Sequence, residues 1–145
     1  MTEVIPDSHQ HCPAGHALAL IGDRWSLMIV REALRGADRY DGFRLALGVS
    51  DNTLSRRLAH LQEIDVLRHT PNGTYELTDA GAALADVLAV LGAWGDRWLD
   101  VASPQLEPPE PVVAAAKRLG LRPSSARRRV QANAGALSHG RSAQP

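Results

Sequence analysis

Two stretches of the chain hold residues whose types and spacing could do chemistry. The first is "SHQHCPAGHALAL", Ser8 to Leu20, which places the only cysteine, Cys12, beside His9, His11 and His16. Cys12 and His16 are spaced i, i+4 and would share one helix face, and His9 or His11 could complete a zinc-like set. The competing reading is a helix start. Pro13 suits the first helical position, which leaves Cys12 at the cap, against the positive end of the helix dipole, where thiolate is favoured. On that reading Cys12 is either a thiol sensor or a small residue that seals an interface. The second stretch is "VSDNTLSRRLAHLQEIDVL". Leu54, Leu58 and Leu61 fall on one narrow helix face. Asn52, Thr53, Ser55, Arg56 and His60 lie opposite, with Arg57 at the flank. Arg can bond guanine through two hydrogen bonds and Asn can do the same for adenine. An interaction module with a merely solvated polar face would show the same pattern.

No Ser-His-Asp set, Gly-rich phosphate loop, HExxH or CxxC occurs in the chain, so the expectation is a protein that is not an enzyme and needs no cofactor. A lone cysteine cannot form an internal disulfide, which makes a reducing, cytoplasmic setting the default. No apolar run approaches the roughly 18 residues that would span a membrane. Net charge is zero, but residues 101–145 hold seven bases against Glu107 and Glu110, so the two parts carry +5 and −5. A basic end on a mildly acidic body fits contact with nucleic acid, and fits a solvated tail equally.

The positioning elements follow from the hydrophobic period and the turn residues. Residues 1–11 read as a flexible arm. "PAGHALALI" reads as a helix carrying Ala17, Leu18 and Ile21, broken at Gly22 and Asp23. "RWSLMIVREALRG" reads as a second helix with Trp25, Met28, Ile29 and Leu34 on its apolar stripe, stopped at Gly36. "YDGFRLALG", with Asp38 or Asp41 as cap, is a short third helix burying Tyr40, Phe43 and Leu47. Ser50 or Asp51 caps the fourth. "LRHT", "PNG" and "TYELT" then form a two-stranded hairpin around Asn72-Gly73. Tyr75 and Leu77 are expected to point inward, and Thr74, Glu76 and Thr78 outward. "TDAGAALADVLAVLGAWGDRWL" is a long amphipathic helix. Residues 101–111 are expected to be a Pro-rich linker that cannot pack. Residues 112–145 are expected to be a basic, largely disordered tail, though "AAAKRLGLRPSSARRRVQ" faintly echoes a second helix-turn-helix.

Two helices joined at Gly48-Val49-Ser50 and followed by a hairpin spell a winged helix-turn-helix: a mainly α (α+β) fold with a short two-stranded wing. The second helix of that motif enters the major groove. Arg39, Arg44 and Arg68, with Asn72 at the wing tip, are candidate phosphate contacts. A winged-helix protein of another sensor family, or a protein-interaction module without DNA contact, stays open on these grounds.

The runs "CPAGHALALIGDRWSLMIVREALRGADRYDGF", "VSDNTLSRRLAHLQEIDVL" and "YELTDAG" are more specific. Cys12-Pro13, Gly22-Asp23-Arg24-Trp25, Arg39-Tyr40, Leu54-Ser55-Arg56-Arg57-Leu58 and Tyr75-Glu76-Leu77-Thr78 with Gly81 occur in an order and spacing that resemble the HxlR family of bacterial transcriptional regulators, over residues 12–98. The resemblance implies a homodimeric regulator of a palindromic double-stranded DNA operator, a repressor before an activator. It implies N- and C-terminal dimerisation helices; Leu18, Ile21, Leu84, Val87, Leu88, Leu91 and Trp94 are the matching apolar positions. It also implies switching by an oxidant, electrophile or small effector, with Cys12 at the place of a sensing thiol, and no metal there. The chain departs from the family in its tight, arginine-free wing tip and its longer tail.

Overall fold

The computed structural model describes residues 12–99 and 107–121. They form six helices and a two-stranded antiparallel sheet: α1 (Pro13–Ile21), α2 (Ser26–Leu34), α3 (Tyr40–Leu47), α4 (Asp51–Glu63), β1 (Leu67–His69), β2 (Tyr75–Leu77), α5 (Asp79–Trp98) and α6 (Glu110–Arg118). The expected winged helix-turn-helix is present. The flexible-arm expectation for residues 1–11 lies outside the described residues, as does everything past Leu121.

The core gathers around the helix-turn-helix. Ile29 and Val30 of α2, Phe43 of α3, Leu54, Leu58 and Leu61 of α4, and Val66 and Leu67 entering β1 are buried together. At roughly 25 cal/mol per Å² of apolar surface, each such side chain contributes about 1.5–3 kcal/mol of transfer free energy. The α2 stripe differs from the expected one. Ser26, Ile29 and Val30 face the core, Met28 is exposed, and Trp25 precedes the helix. The reason is the cap: Asp23 Oδ1 accepts from Trp25 N (2.8 Å) and Ser26 N (3.1 Å), which starts the helix at Ser26 and sets its rotation.

Gly48 ends α3 in the left-handed region at φ 59, a conformation that costs an L side chain roughly 1–2 kcal/mol. At the start of α3, Arg39 rather than an aspartate holds the cap position, and Asp38 supplies its carbonyl to Tyr75 N at 2.7 Å, tying the wing to the loop before α3. Asp65, at φ 57, swings the chain out of α4 into β1. The wing pairs Leu67 with Leu77, Arg68 with Glu76 and His69 with Tyr75. Tyr75 and Leu77 turn inward as expected, but Thr78 is not an outward strand residue. It caps α5: its Oγ1 accepts from Gly81 N (3.1 Å) and donates to Asp65 O (2.5 Å).

The expected boundary between linker and tail moves. Pro109 is buried and α6 begins at Glu110 with Pro111 in its first turn, where a proline loses no hydrogen bond. Val112, Ala115 and Ala116 pack on Ala85 and Ala89 of α5 as a second small core. The alanines let the two helices approach closely, and Arg35 donates to Glu107 O at 2.8 Å to hold the entry of α6 against α2. Leu119 and Leu121 then flank Gly120, which turns at φ 66.

Candidate nucleic-acid interface

The helix pair α3–α4 is held from three sides. Gly48 makes the turn. Ser50 caps α4, its Oγ accepting from Thr53 N at 3.4 Å. Tyr40 then reaches across from α3: its hydroxyl donates to Asp51 O at 3.0 Å and lies 3.2 Å from both Asp51 Oδ1 and Ser55 Oγ. Leu54, Leu58 and Leu61 anchor the helix from below. The N-terminal end of α4 is therefore presented to solvent on a rigid support.

The six expected recognition residues divide into two groups. Asn52, Ser55 and Arg56 are exposed. Among the described residues the Asn52 and Arg56 side chains have no hydrogen-bond or ionic partner, and Ser55 shares only the Tyr40 hydroxyl. Thr53 is half-buried and its hydroxyl accepts from Ser50 Oγ at 3.0 Å. Arg57 and His60 face away from this tip. Arg57 Nε is shut off from solvent and lies 3.3 Å from Asp23 Oδ1, close enough for an ion pair but not aligned as a hydrogen bond. His60 Nε2 lies 2.7 Å from Leu20 O. At ~100° per residue Arg57 sits beside the leucine stripe, at the flank where the spacing puts it. His60 is turned further, far enough to meet the C-terminal end of α1.

Asp23, read from the sequence as a helix break and as part of the Gly22-Asp23-Arg24-Trp25 run, is the partner that Arg57 meets. Burial pushes its carboxyl pKa up. Hydrogen bonds from the Ser26 side chain and from the Trp25 and Ser26 amides, with the nearby Arg57 charge, outweigh this and leave it below 3.8. An Asp three residues ahead of a Ser at a helix start is the capping signal that could have flagged it.

The phosphate candidates also divide. Arg39 is exposed and free of ionic partners among the described residues. Arg44 is half-exposed, with Asp41 at 3.5 Å and Asp51 at 3.9 Å, loose contacts that a phosphate could replace. Arg68 is engaged across the wing with Glu76 at 2.7 Å; that hydrogen bond and charge raise the guanidinium pKa. Asn72 is exposed at the wing tip. His69 stacks on Tyr75 with centroids 4.5 Å apart, which stiffens the wing.

Cys12 is exposed at the N-cap of α1, and its carbonyl accepts from His16 N at 2.9 Å. His9 and His11 lie outside the described residues. No group of three metal-ligating side chains occurs among the described residues, and no described helix is long and apolar enough to cross a membrane. Of the expected dimer positions, Leu18 (66% exposed), Val87, Leu91 and Trp94 are open to solvent. Val90 and Trp98 extend that stripe along α5. Ile21, Leu84 and Leu88 instead pack on the protomer's own core, the two leucines because they lie on the edge of α5 that meets α2.

Comparison with known proteins agrees with this geometry. The family model for the HxlR-like helix-turn-helix matches residues 20–103. The chain is 40% identical over 91 residues to the HTH-type transcriptional regulator Rv3095 of Mycobacterium tuberculosis, covering 59% of this chain and 58% of that one. It thus spans little more than half of that relative's length. PA1607, a candidate transcription factor of known crystal structure, superposes with a TM-score of 0.60 at 34% identity, over 71% of this chain and 80% of its own. The quinone-bound structure of YodB from Bacillus subtilis superposes with a TM-score of 0.54 at 28% identity, over 60% of this chain and 99% of its own. With the family model covering more than half of the sequence, the chain belongs to the HxlR-like helix-turn-helix family of DNA-binding transcriptional regulators.

Proposed function

We propose that this chain represses transcription as a homodimer that reads a palindromic operator through the first two turns of α4. One observation carries the reading: α4 presents Asn52 and Arg56 without partners among the described residues at its N-terminal end, with Ser55 beside them sharing only the Tyr40 hydroxyl, while Arg57 and His60 are tied to the protomer. Arg56 suits guanine and Asn52 suits adenine. Arg39 and Arg44 flank the tip as phosphate contacts. The open stripe of Val87, Leu91 and Trp94 on α5, with Leu18 on α1, is the surface a twofold partner would cover. Such a dimer sets two recognition helices about 34 Å apart, one DNA turn.

The proposed switch is Cys12. YodB is known with a quinone bound, and Cys12 is exposed at the start of α1, the helix that carries the exposed Leu18. Conjugate addition would join Cys12 Sγ to a quinone ring carbon. The thiol proton ends on one ring oxygen and the C–H proton of the attacked carbon moves to the other, leaving an S-linked hydroquinone.

The test is retardation of duplexes from the gene's own upstream region. Arg56→Ala and Asn52→Ala should each weaken binding by roughly 5- to 150-fold, the range for one bidentate base contact. Binding that survives both changes at moderate salt removes the recognition-helix assignment. Cys12→Ser should bind the duplex as the wild type does and lose its response to benzoquinone. An equal response in both proteins removes the switch.

A further inference from the structure

Arg57 and His60 join α4 to the α1–α2 junction at two points. Arg57 pairs with Asp23, which caps α2 directly after α1 ends; the two side chains are only 30% and 21% exposed. His60 meets the carbonyl of Leu20, in the last turn of α1, at 2.7 Å. The two contacts sit about one turn apart along the rear of α4, so together they oppose both its rotation and its tilt relative to α1. Ile21, at the end of α1, packs on the same core as Leu54, Leu58 and Leu61, so these polar contacts add direction to an apolar seat. Asp23 also receives the Trp25 and Ser26 amides, so its carboxylate is fixed before Arg57 meets it. α1 carries exposed Leu18 in its last turn and exposed Cys12 at its N-cap, so a displacement of α1 has a direct mechanical path to the reading tip.

We propose that Arg57 and His60 are positioning residues, not DNA contacts: with Asp23 and the Leu20 carbonyl they tether the recognition helix to the α1–α2 junction and set the angle at which Asn52 and Arg56 are presented. The idea rests on α4 being the reading element, but the tether itself is a property of the free protein.

The sign of one substitution separates positioning from contact. Removing an acid from a DNA-binding protein normally strengthens binding, since repulsion from phosphate is lost. If Asp23 positions Arg57, Asp23→Asn weakens binding instead, because asparagine keeps the capping oxygen and loses only the charge. We expect Asp23→Asn and Arg57→Gln each to bind the retarded upstream duplex about fivefold more weakly, the scale of a coupling carried by one half-buried pair. The double variant should be no worse than either. Arg57→Lys should restore part of the loss, and His60→Gln, which keeps a donor, should bind better than His60→Ala. In all of them the slope of log K against log salt should match wild type, whereas loss of a true phosphate contact lowers it by about 0.9.

A second measurement needs no DNA. Spin labels at Ala19→Cys and Ala59→Cys, both exposed, in a Cys12→Ser background diluted into excess unlabelled chain, report the α1–α4 distance. The distribution should be narrow in wild type and broadened by Asp23→Asn with His60→Ala. An unchanged distribution overturns the tether. So does Asp23→Asn binding as well as or better than wild type, or a reduced salt slope in Arg57→Gln. Broadening without any retarded duplex keeps the tether and rejects the DNA reading.

Discussion

Replacing Gly81 with alanine should damage this protein although alanine is the better helix former. Gly81 lies in the first turn of α5, and a Cβ there would sit 2.2 Å from Val66 O and 2.9 Å from Leu77 Cδ2. Val66 O is backbone, and it accepts from Thr78 N at 3.1 Å, so it cannot step aside freely. Overpacking of this kind costs about 1–3 kcal/mol. Disturbing the Thr78 amide bond adds about 1 kcal/mol. Helix propensity returns about 1 kcal/mol. The net expectation is a loss of about 2 kcal/mol, which lowers the melting temperature by roughly 10 °C for a domain of this size. Thermal and urea unfolding followed by circular dichroism measures it. Gly42→Ala is the matched control. It also lies in the first turn of a helix, but its Cβ would meet only Ala37 Cβ at 3.9 Å, so it should stabilise by about 0.5–1 kcal/mol. A Gly81→Ala protein that melts at or above wild type refutes the close packing of α5 on the wing.

Three further outcomes are expected. Asp23 has a carboxyl pKa below its unfolded value of 3.8, so its stabilising contribution is present above that pH and is lost as pH falls through the lower folded value. The stability difference between wild type and Asp23→Asn should therefore hold at neutral pH and shrink on acidification below 3.8; a constant gap in pH-dependent urea unfolding would show that its charge is unimportant. Ser50→Ala removes the cap of α4 and should cost about 1 kcal/mol, while Ser50→Asp should retain most of the stability; equal melting of all three proteins would show the cap to be idle. Trp94→Glu places a charge in the open stripe of α5, and sedimentation should show a wild-type dimer becoming a folded monomer; an unchanged mass would place the partner surface elsewhere.

Much of the fold was legible in order along the chain. The leucine spacing of α4, the Asn72-Gly73 turn and Gly48 each act through neighbours a few residues away, so pattern alone placed them. The elements that read incorrectly depend on distant partners. Thr78 alternates like a strand residue, yet the Asp65 carbonyl and the Gly81 amide claim it as a cap. Residues 101–111 read as a Pro-rich linker and 112–145 as a basic tail, yet Ala85 and Ala89 offer Val112, Ala115 and Ala116 a surface smooth enough to fold against.

The candidate site shows the same division most sharply. Sequence by itself determined which residues lie on the polar face of α4, because a helix of fixed pitch converts spacing into direction. It also determined the helix-turn-helix and its family. Only the tertiary structure decided which of those side chains remain available. Arg57 and His60 have the same chemistry as good DNA contacts, but Asp23 and the Leu20 carbonyl reach them first. Likewise, Leu84 and Leu88 share a helix with Leu91 and Trp94 but face the core instead of solvent. Spacing sets where a side chain points; what meets it there depends on chain folded back from tens of residues away, and no local period encodes that.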